Sequence, residues 1–172
     1  MRSGSSFVTN IILVTKKTFL ILYNIRSAYN VGAIFRTADA VGISKIYLVG
    51  VTPCPADKFG RVNSQIAKTA LGAEKTVAWE YKKTIAPLMA KLKKDGAQVV
   101  ALEQDEEAID YRKLKPKGDW ALILGEETKG LSKAILSQSD SIVEIPMKGK
   151  KESLNVSVAA GVALFQIIGN KI

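Results

Sequence analysis

Apolar residues along the chain fall into short runs of strand length, separated by segments with helical spacing. The predicted strands are Thr18 to Tyr23, Lys45 to Val49, Thr76 to Trp79, Gln98 to Leu102, Trp120 to Leu124 and Ser141 to Ile145. Strands that alternate with helical segments are typical of α/β proteins, in which crossover helices connect parallel strands. The pattern therefore predicts an α/β fold with a parallel-rich central sheet flanked by helices.

Three of the connecting segments carry an apolar stripe at helical spacing. The stripes are Val31, Ile34, Phe35 and Ala38, closed by Gly42; Ile85, Leu88, Met89 and Leu92, opened by Thr84 as N-cap and ended at Gly96; and Val156, Ala159, Ala160, Ala163, Leu164 and Ile167, before Gly169. Residues at i, i+3, i+4 and i+7 share one helix face, so each stripe predicts a helix. The alanines of the last stripe permit close packing on the sheet or on a second subunit.

The length and composition favour a single domain. With 172 residues, of which 47% are hydrophobic, the chain can bury one core but not two ordinary ones. We expect residues 18–172 to form this domain, after a less organised N-terminal extension of residues 1–17. No apolar run approaches the roughly 18 to 20 residues of a membrane span, and no signal peptide is present, which predicts a cytoplasmic protein.

Charge and residue types restrict the chemistry. The chain has 25 Lys and Arg against 16 Asp and Glu, and the resulting net charge of +9 favours a polyanionic partner, although a solvated basic surface would give the same charge. There is no histidine and a single cysteine, Cys54. This excludes Ser-His and Cys-His mechanisms, an internal disulfide and a cysteine-rich zinc site. We expect no metal, and catalysis by other groups.

Polar and glycine residues cluster where predicted strands end, the place where open α/β sheets bind ligands. The three segments are 24–39, 125–132 and 145–157. Each also has a purely structural interpretation: Asn30 as an N-cap with Arg36 paired to Asp39, a Gly125 turn capped by Ser132, and Ser153 or Asn155 capping the last helix. The second segment is not a phosphate loop, because Leu131 stands where that loop requires lysine.

In their order and spacing, the three segments together resemble the sequence motifs of the SpoU (TrmH-like) RNA 2′-O-methyltransferases of the SPOUT superfamily. The resemblance is carried by Asn30 with Arg36, by the Gly125-x-Glu127-x-x-Gly130 turn, and by Ile145-Pro146-Met147 followed by Ser153-Leu154-Asn155. It implies a SPOUT-type α/β knot, in which the third motif threads a deep trefoil knot. It also implies a homodimer that uses S-adenosylmethionine to methylate a ribose 2′-hydroxyl in tRNA or rRNA.

The resemblance assigns roles to individual residues. The cofactor contacts would be Leu102, Leu124, Gly125, Ile145, Met147, Ser153 and Leu154. The catalytic set would be Arg36, Asn30, Glu127, Ser153 and Asn155. Within it we expect Arg36 to clamp the 2′-oxygen or an adjacent phosphate, because a guanidinium with a pKa above about 12 is a poor base. The residues expected to contact RNA are Arg26, Lys148, Lys150 and Lys151.

Two other functions are alternatives to methyl transfer. A non-catalytic RNA-binding or assembly module could retain the knotted fold, and it would bind the cofactor without methylating RNA. A nicotinamide-dependent dehydrogenase would need a Gly-x-Gly-x-x-Gly fingerprint after its first strand, and the sequence lacks one there.

Overall fold

The computed structural model describes residues 16–126 and 128–169, in which one parallel sheet forms the centre of the molecule. Its strands are β1 (Thr18–Tyr23), β2 (Lys45–Val49), β3 (Trp79–Lys82), β4 (Gln98–Leu102), β5 (Ile109–Asp110), β6 (Trp120–Leu124) and β7 (Ser141–Glu144). They lie in the order β3-β2-β1-β6-β4-β7-β5, and every neighbouring pair is parallel. The predicted α/β class is confirmed. The predicted N-terminal extension lies outside the described residues, apart from the exposed Lys16 and Lys17.

Helices cover both faces of the sheet. They are α1 (Ala28–Val41), α2 (Ser64–Ala70), α3 (Ala73–Thr76), α4 (Ala86–Lys94), α5 (Lys133–Leu136) and α6 (Val156–Gly169), with a 3-10 turn at Tyr111–Lys113. Leu20 and Leu22 of β1 pack on the face covered by α1, α2 and α6, whereas Ile21 packs on the face covered by α4 and α5. Because both faces are buried, the central strands are apolar without alternation. No helix among the described residues is long and apolar enough to cross a membrane.

The prediction of a strand at Thr76 to Trp79 is wrong. Thr76 ends α3, Val77 is buried beyond it, and β3 starts only at Trp79. The strand is at the edge of the sheet and pairs with β2 alone, so it needs no continuous apolar run. The Lys45 Nζ of β2 donates to Oε2 of Glu80 at 2.8 Å, and this bond lowers the pKa of the Glu80 carboxyl to about 2. Glu80 interrupts the apolar pattern of β3 in the sequence, and in the structure it helps to attach β3 to β2.

Two predicted helix caps are also wrong. The N-cap position of α4 is Ile85 rather than Thr84, and Pro87 lies in the first turn, where a missing N–H costs nothing. At the start of α1 the cap is Ser27, whose hydroxyl oxygen accepts from the Asn30 N–H at 3.2 Å. Asn30 therefore lies inside the first turn, and its side chain is not the cap of α1.

Candidate functional site

The carboxyl ends of β6, β4 and β7 meet around a cleft of about 350 Å³. Parallel strands bring their carboxyl ends to one edge of a sheet, where α/β proteins bind ligands. The volume lies at the lower end of the range for small-molecule sites, which starts at about 300 Å³. The cleft is lined by all seven predicted cofactor residues, Leu102, Leu124, Gly125, Ile145, Met147, Ser153 and Leu154. The structure thus brings together residues that come from three separate segments of the chain.

The turn after β6 has room for glycine only. A Cβ atom on Gly125 would lie 2.9 Å from the carbonyl carbon of Gly130 and 2.9 Å from Cδ2 of Leu131. Gly130 has a φ of +59°, a conformation that favours glycine, and its N–H donates to the carbonyl of Glu126 at 3.1 Å. The two glycines therefore allow a tight turn at the base of the cleft, where these two positions present peptide groups and no side chains.

Glu103 holds this turn in place, and sequence reasoning did not identify it. Its Oε2 accepts from the Leu131 N–H at 2.7 Å, and its Oε1 accepts from the N–H of Gln104 at 3.0 Å. A Cβ on Gly130 would lie only 2.3 Å from the same Oε2, so the carboxylate packs against the bare glycine. The available signal was its position, one residue beyond the predicted strand end at Leu102.

The third motif forms the opposite wall of the cleft, and Asn155 ties it to α1. The Asn155 Oδ1 accepts from the Ser157 N–H at 2.9 Å and from the Ser157 hydroxyl at 2.7 Å, which confirms its predicted role in capping α6. At the same time its Nδ2 donates to Oδ1 of Asn30 at 3.2 Å. One side chain therefore both begins α6 and joins the first motif to the third.

The cleft carries more acidic than basic side chains. Its charged lining residues are Glu103, Glu126, Glu144, Glu152 and Lys129. Glu126, with a side chain only 10% exposed, pairs with Arg26 at 3.6 Å, so Arg26 stands at the mouth of the cleft. No cluster of three potential metal ligands occurs among residues 16–126 and 128–169. An excess of carboxylates favours a ligand with positive charge.

Arg36 does not line the cleft of its own chain. It lies exposed on α1, as its position opposite the apolar stripe predicts. Pairing with Asp39 is wrong: no described carboxylate lies within ion-pair distance of Arg36, and Asp39 instead accepts from the Thr76 hydroxyl at 2.7 Å. Lys148, Lys150 and Lys151 are exposed on the loop beside the cleft. Glu127 lies outside the described residues.

The family of the chain follows from comparison of its sequence with known families. The model of the SpoU rRNA Methylase family matches residues 17–165, nearly the whole chain. The chain belongs to this family. Among the SpoU relatives, the chain is 35% identical over 149 residues to the 23S rRNA (guanosine-2′-O-)-methyltransferase RlmB of Ralstonia nicotianae, covering 87% of this chain and 57% of the relative. It is 32% identical over 142 residues to the tRNA (guanosine(18)-2′-O)-methyltransferase of Escherichia coli, covering 83% and 58%. The chain thus spans less than three-fifths of these relatives.

Solved structures of SpoU proteins share the fold. The AdoMet-bound rRNA methyltransferase from Sinorhizobium meliloti superposes with a TM-score of 0.81 at 26% identity, over 92% of this chain and 58% of that one. The A. aeolicus TrmH/SpoU tRNA modifying enzyme gives a TM-score of 0.77 at 30% identity, over 88% and 74%.

Proposed function

We propose that this chain transfers a methyl group from S-adenosylmethionine to the 2′-hydroxyl of a ribose in rRNA or tRNA. The observation that carries the proposal is the cleft, because residues assigned to the cofactor from three distant segments of the chain line it together. Relatives named as guanosine 2′-O-methyltransferases and a structural relative with bound AdoMet support it. A cytoplasmic setting agrees with the single cysteine, which a reducing compartment keeps as a free thiol.

The residues present fit this cofactor. Leu102, Leu124 and Leu154 offer an apolar surface for an adenine ring, and the peptide groups beside Gly125 and Ile145 can make directional hydrogen bonds. The surplus of carboxylates in the cleft complements a sulfonium cation. When bound, the cofactor supplies an electrophilic methyl group on that cationic sulfur. The chain's own task is then to hold the ribose oxygen in line and to stabilise charge as it develops there.

We assign the stabilisation of this charge to Arg36. A guanidinium keeps its proton at neutral pH, and its planar fork can hold an oxygen and a phosphate together. The Asn30 to Asn155 hydrogen bond fixes α1 relative to the cleft wall, which positions the helix that carries Arg36. With no histidine in the chain, the proton acceptor is Glu127 or a phosphate of the RNA.

We further propose that the active unit is a homodimer formed through α6. Val158, Val162 and Phe165 follow one another by four and three residues, so they form one stripe along the helix. Their exposed fractions are 50%, 38% and 57%, and a continuous apolar stripe of this kind marks an interaction surface. Arg36 does not line the cleft of its own chain, so in our proposal it reaches the cleft of the second subunit.

We also propose the deep trefoil knot that the resemblance to the SpoU family implies. In our proposal, residues 145–155 pass through the loop formed by the chain between β4 and β6. Two contacts of that loop support this path: the Gln104 side chain donates to the carbonyl of Glu152 at 2.5 Å, and the Tyr111–Lys113 turn packs on α6. A crystal structure that traced residues 145–155 outside the loop would contradict the knot.

Filling the cleft is expected to abolish cofactor binding. Ala159 lies on α6 and lines the cleft, so Ala159→Phe places a ring in the space available to the ligand. We expect calorimetric affinity for S-adenosylmethionine to fall by about 30-fold or more, the effect of about 2 kcal/mol of lost binding energy. Ala134→Phe, the same change at an exposed position of α5, is the matched control. Equal affinity in Ala159→Phe and parent would remove the cofactor from this cleft.

Methyl transfer itself is tested with labelled S-adenosylmethionine and total RNA, followed by mapping of the product by mass spectrometry. We expect label in one or a few nucleotides as 2′-O-methyl ribose, and no label with Ala159→Phe. Cofactor binding without any transfer to RNA would instead support the non-catalytic RNA-binding module.

The lysine loop beside the cleft is expected to contact RNA phosphates. Each lost phosphate contact should reduce the slope of log K against log salt by roughly 0.7 to 0.9. We therefore expect the triple variant Lys148→Ala, Lys150→Ala, Lys151→Ala to bind RNA more weakly and with a flatter slope. The control carries Lys94→Ala, Lys115→Ala and Lys117→Ala, three exposed lysines in the segments that lead into β4 and β6. If both triple variants lose affinity equally, the loop acts only through net charge.

A further inference from the structure

A second cavity lies beside strand β3, next to the loop that follows β2 at its carboxyl end. It has a volume of about 690 Å³ and is formed between the hairpin of residues 56–62, which follows β2, and strand β3. Its apolar wall consists of Cys54, Val62, Trp79 and Tyr81. Burial raises the pKa of the Cys54 thiol, which keeps this wall uncharged at neutral pH. Methyl transfer as derived above makes no use of this surface.

Asp57 bonds to both sides of the turn in this hairpin. Its Oδ1 accepts from the N–H groups of Phe59 at 2.8 Å and Arg61 at 3.0 Å, and its Oδ2 accepts from Nε of Arg61 at 2.7 Å. These bonds lower the pKa of the Asp57 carboxyl, so the brace is complete at neutral pH. Gly60, with a φ of +78°, completes the turn. The turn at the tip is therefore closed by three hydrogen bonds to one carboxylate.

The tip of this hairpin carries an exposed aromatic ring with two cations close to it. Phe59 is 71% exposed, the largest exposed fraction among the large apolar side chains of the described residues. The Lys58 Nζ lies 5.0 Å and the Arg61 Cζ 5.3 Å from the centre of its ring. Tyr81, which is also exposed, is fixed by the bond from its hydroxyl to the carbonyl of Gly50 at 3.1 Å. Exposed rings interleaved with basic groups are the combination that binds single-stranded nucleic acid, since bases stack on the rings and phosphates pair with the cations.

We propose that hairpin 56–62 and β3 form an accessory site for unpaired nucleotides of the RNA substrate, with bases stacked on Phe59 and Tyr81 and a phosphate on Lys58. This inference rests on the proposed function, because it takes RNA to be the substrate. It adds a contact that the three sequence motifs do not include.

The position of the surface favours RNA over a protein partner. The cavity beside the hairpin is walled by β3, which is three places from β6 in the sheet, so it lies roughly 14 Å from the cleft at a strand spacing of about 4.8 Å. Arg26, which pairs with Glu126, follows β1 between them; Lys82, which pairs with Glu80, ends β3 on the far side, and Lys83 follows it. Basic groups therefore stand at the carboxyl ends of the strands from the cleft to β3, along a path that a flexible polyanion can follow.

The test compares two fluorescent RNAs of about 15 nucleotides, one single-stranded and of mixed sequence and one fully paired. Phe59→Ala should weaken binding of the single strand by about 5-fold or more, the smaller end of the effect of losing a stacked base. Phe59→Tyr should bind like the parent because it keeps the ring face, whereas Phe59→Leu should behave like alanine. Binding of the duplex should not change, since its bases are not available for stacking.

The charge is tested in the same assay. Lys58→Ala should reduce the salt slope for the single strand by about 0.7, and Lys115→Ala, in the segment before β6, should leave it unchanged. If the parent binds the single strand and Phe59→Ala binds it equally well, the accessory site is overturned, methyl transfer stands, and the hairpin becomes a candidate protein-docking face. If the parent binds neither RNA, both proposals are overturned.

Discussion

Arg36→Ala should lower the single-turnover rate of methyl transfer by about 100-fold or more, the scale of losing one preorganised group that stabilises charge in the transition state. Folding and cofactor affinity should remain close to those of the parent, because Arg36 is exposed and does not line the cleft of its own chain. Arg36→Lys should restore little of the rate, since lysine keeps the charge but lacks the planar fork.

Rapid-quench measurement with saturating RNA checks this result. A rate close to the parent's in Arg36→Ala would make Arg36 a substrate-binding residue only, and Glu127 would then be the leading candidate for the catalytic group.

A mixed dimer shows which cleft Arg36 serves. If it acts in the partner's cleft, a heterodimer of Arg36→Ala and Ala159→Phe subunits contains one site in which both parts are intact. Mixing two inactive proteins should then restore activity. If Arg36 acts in its own chain, every site of the mixed dimer lacks one part, and no activity returns.

Phe165→Asp should dissociate the proposed dimer. A large, exposed aromatic in an apolar stripe is the type of residue that dominates binding energy at an interface, and a carboxylate there would be buried without a partner. We expect the dissociation constant of the dimer to rise by about 100-fold or more. Methyl transfer should be lost with it if Arg36 works across the interface.

Sedimentation equilibrium measures the change directly. Phe59→Asp is the matched control, because it introduces the same charge at another exposed phenylalanine, outside α6. A parent protein that sediments as a monomer, or a Phe165→Asp variant that dimerises like the parent, would contradict the assignment of the interface to α6.

The strand ends in the sequence predicted where a ligand site would form, and the resemblance to the SpoU motifs supplied the individual residues. Once Leu102, Leu124 and Glu144 end three parallel strands, the sheet itself places the next residues of each segment around one space. The glycine spacing likewise has a local cause, since a Cβ atom at Gly125 or at Gly130 would clash with its neighbours.

What the sequence could not predict depends on contacts between distant segments. Glu103 looks like an ordinary charged residue until the fold brings the Leu131 N–H to 2.7 Å from its carboxylate. Strand β3 was misplaced because it is an edge strand, whose alternation of Trp79 and Tyr81 with charged residues gives no apolar run. The accessory hairpin was missed for a related reason, since short β-bridges leave little periodic signal.

The Asn30 to Asn155 hydrogen bond bears on the order of folding. Its partners are 125 residues apart, and β6, which provides the base of the cleft, pairs with β1 across a similar stretch of chain. Closing such long loops costs entropy before any contact compensates for it, and domains dominated by distant contacts fold slowly. The ligand cleft therefore cannot be complete until residues 145–159 have been synthesised. A ligand that binds only the finished cleft stabilises the native state by mass action, so cofactor supply would also set how much of the newly made protein stays folded.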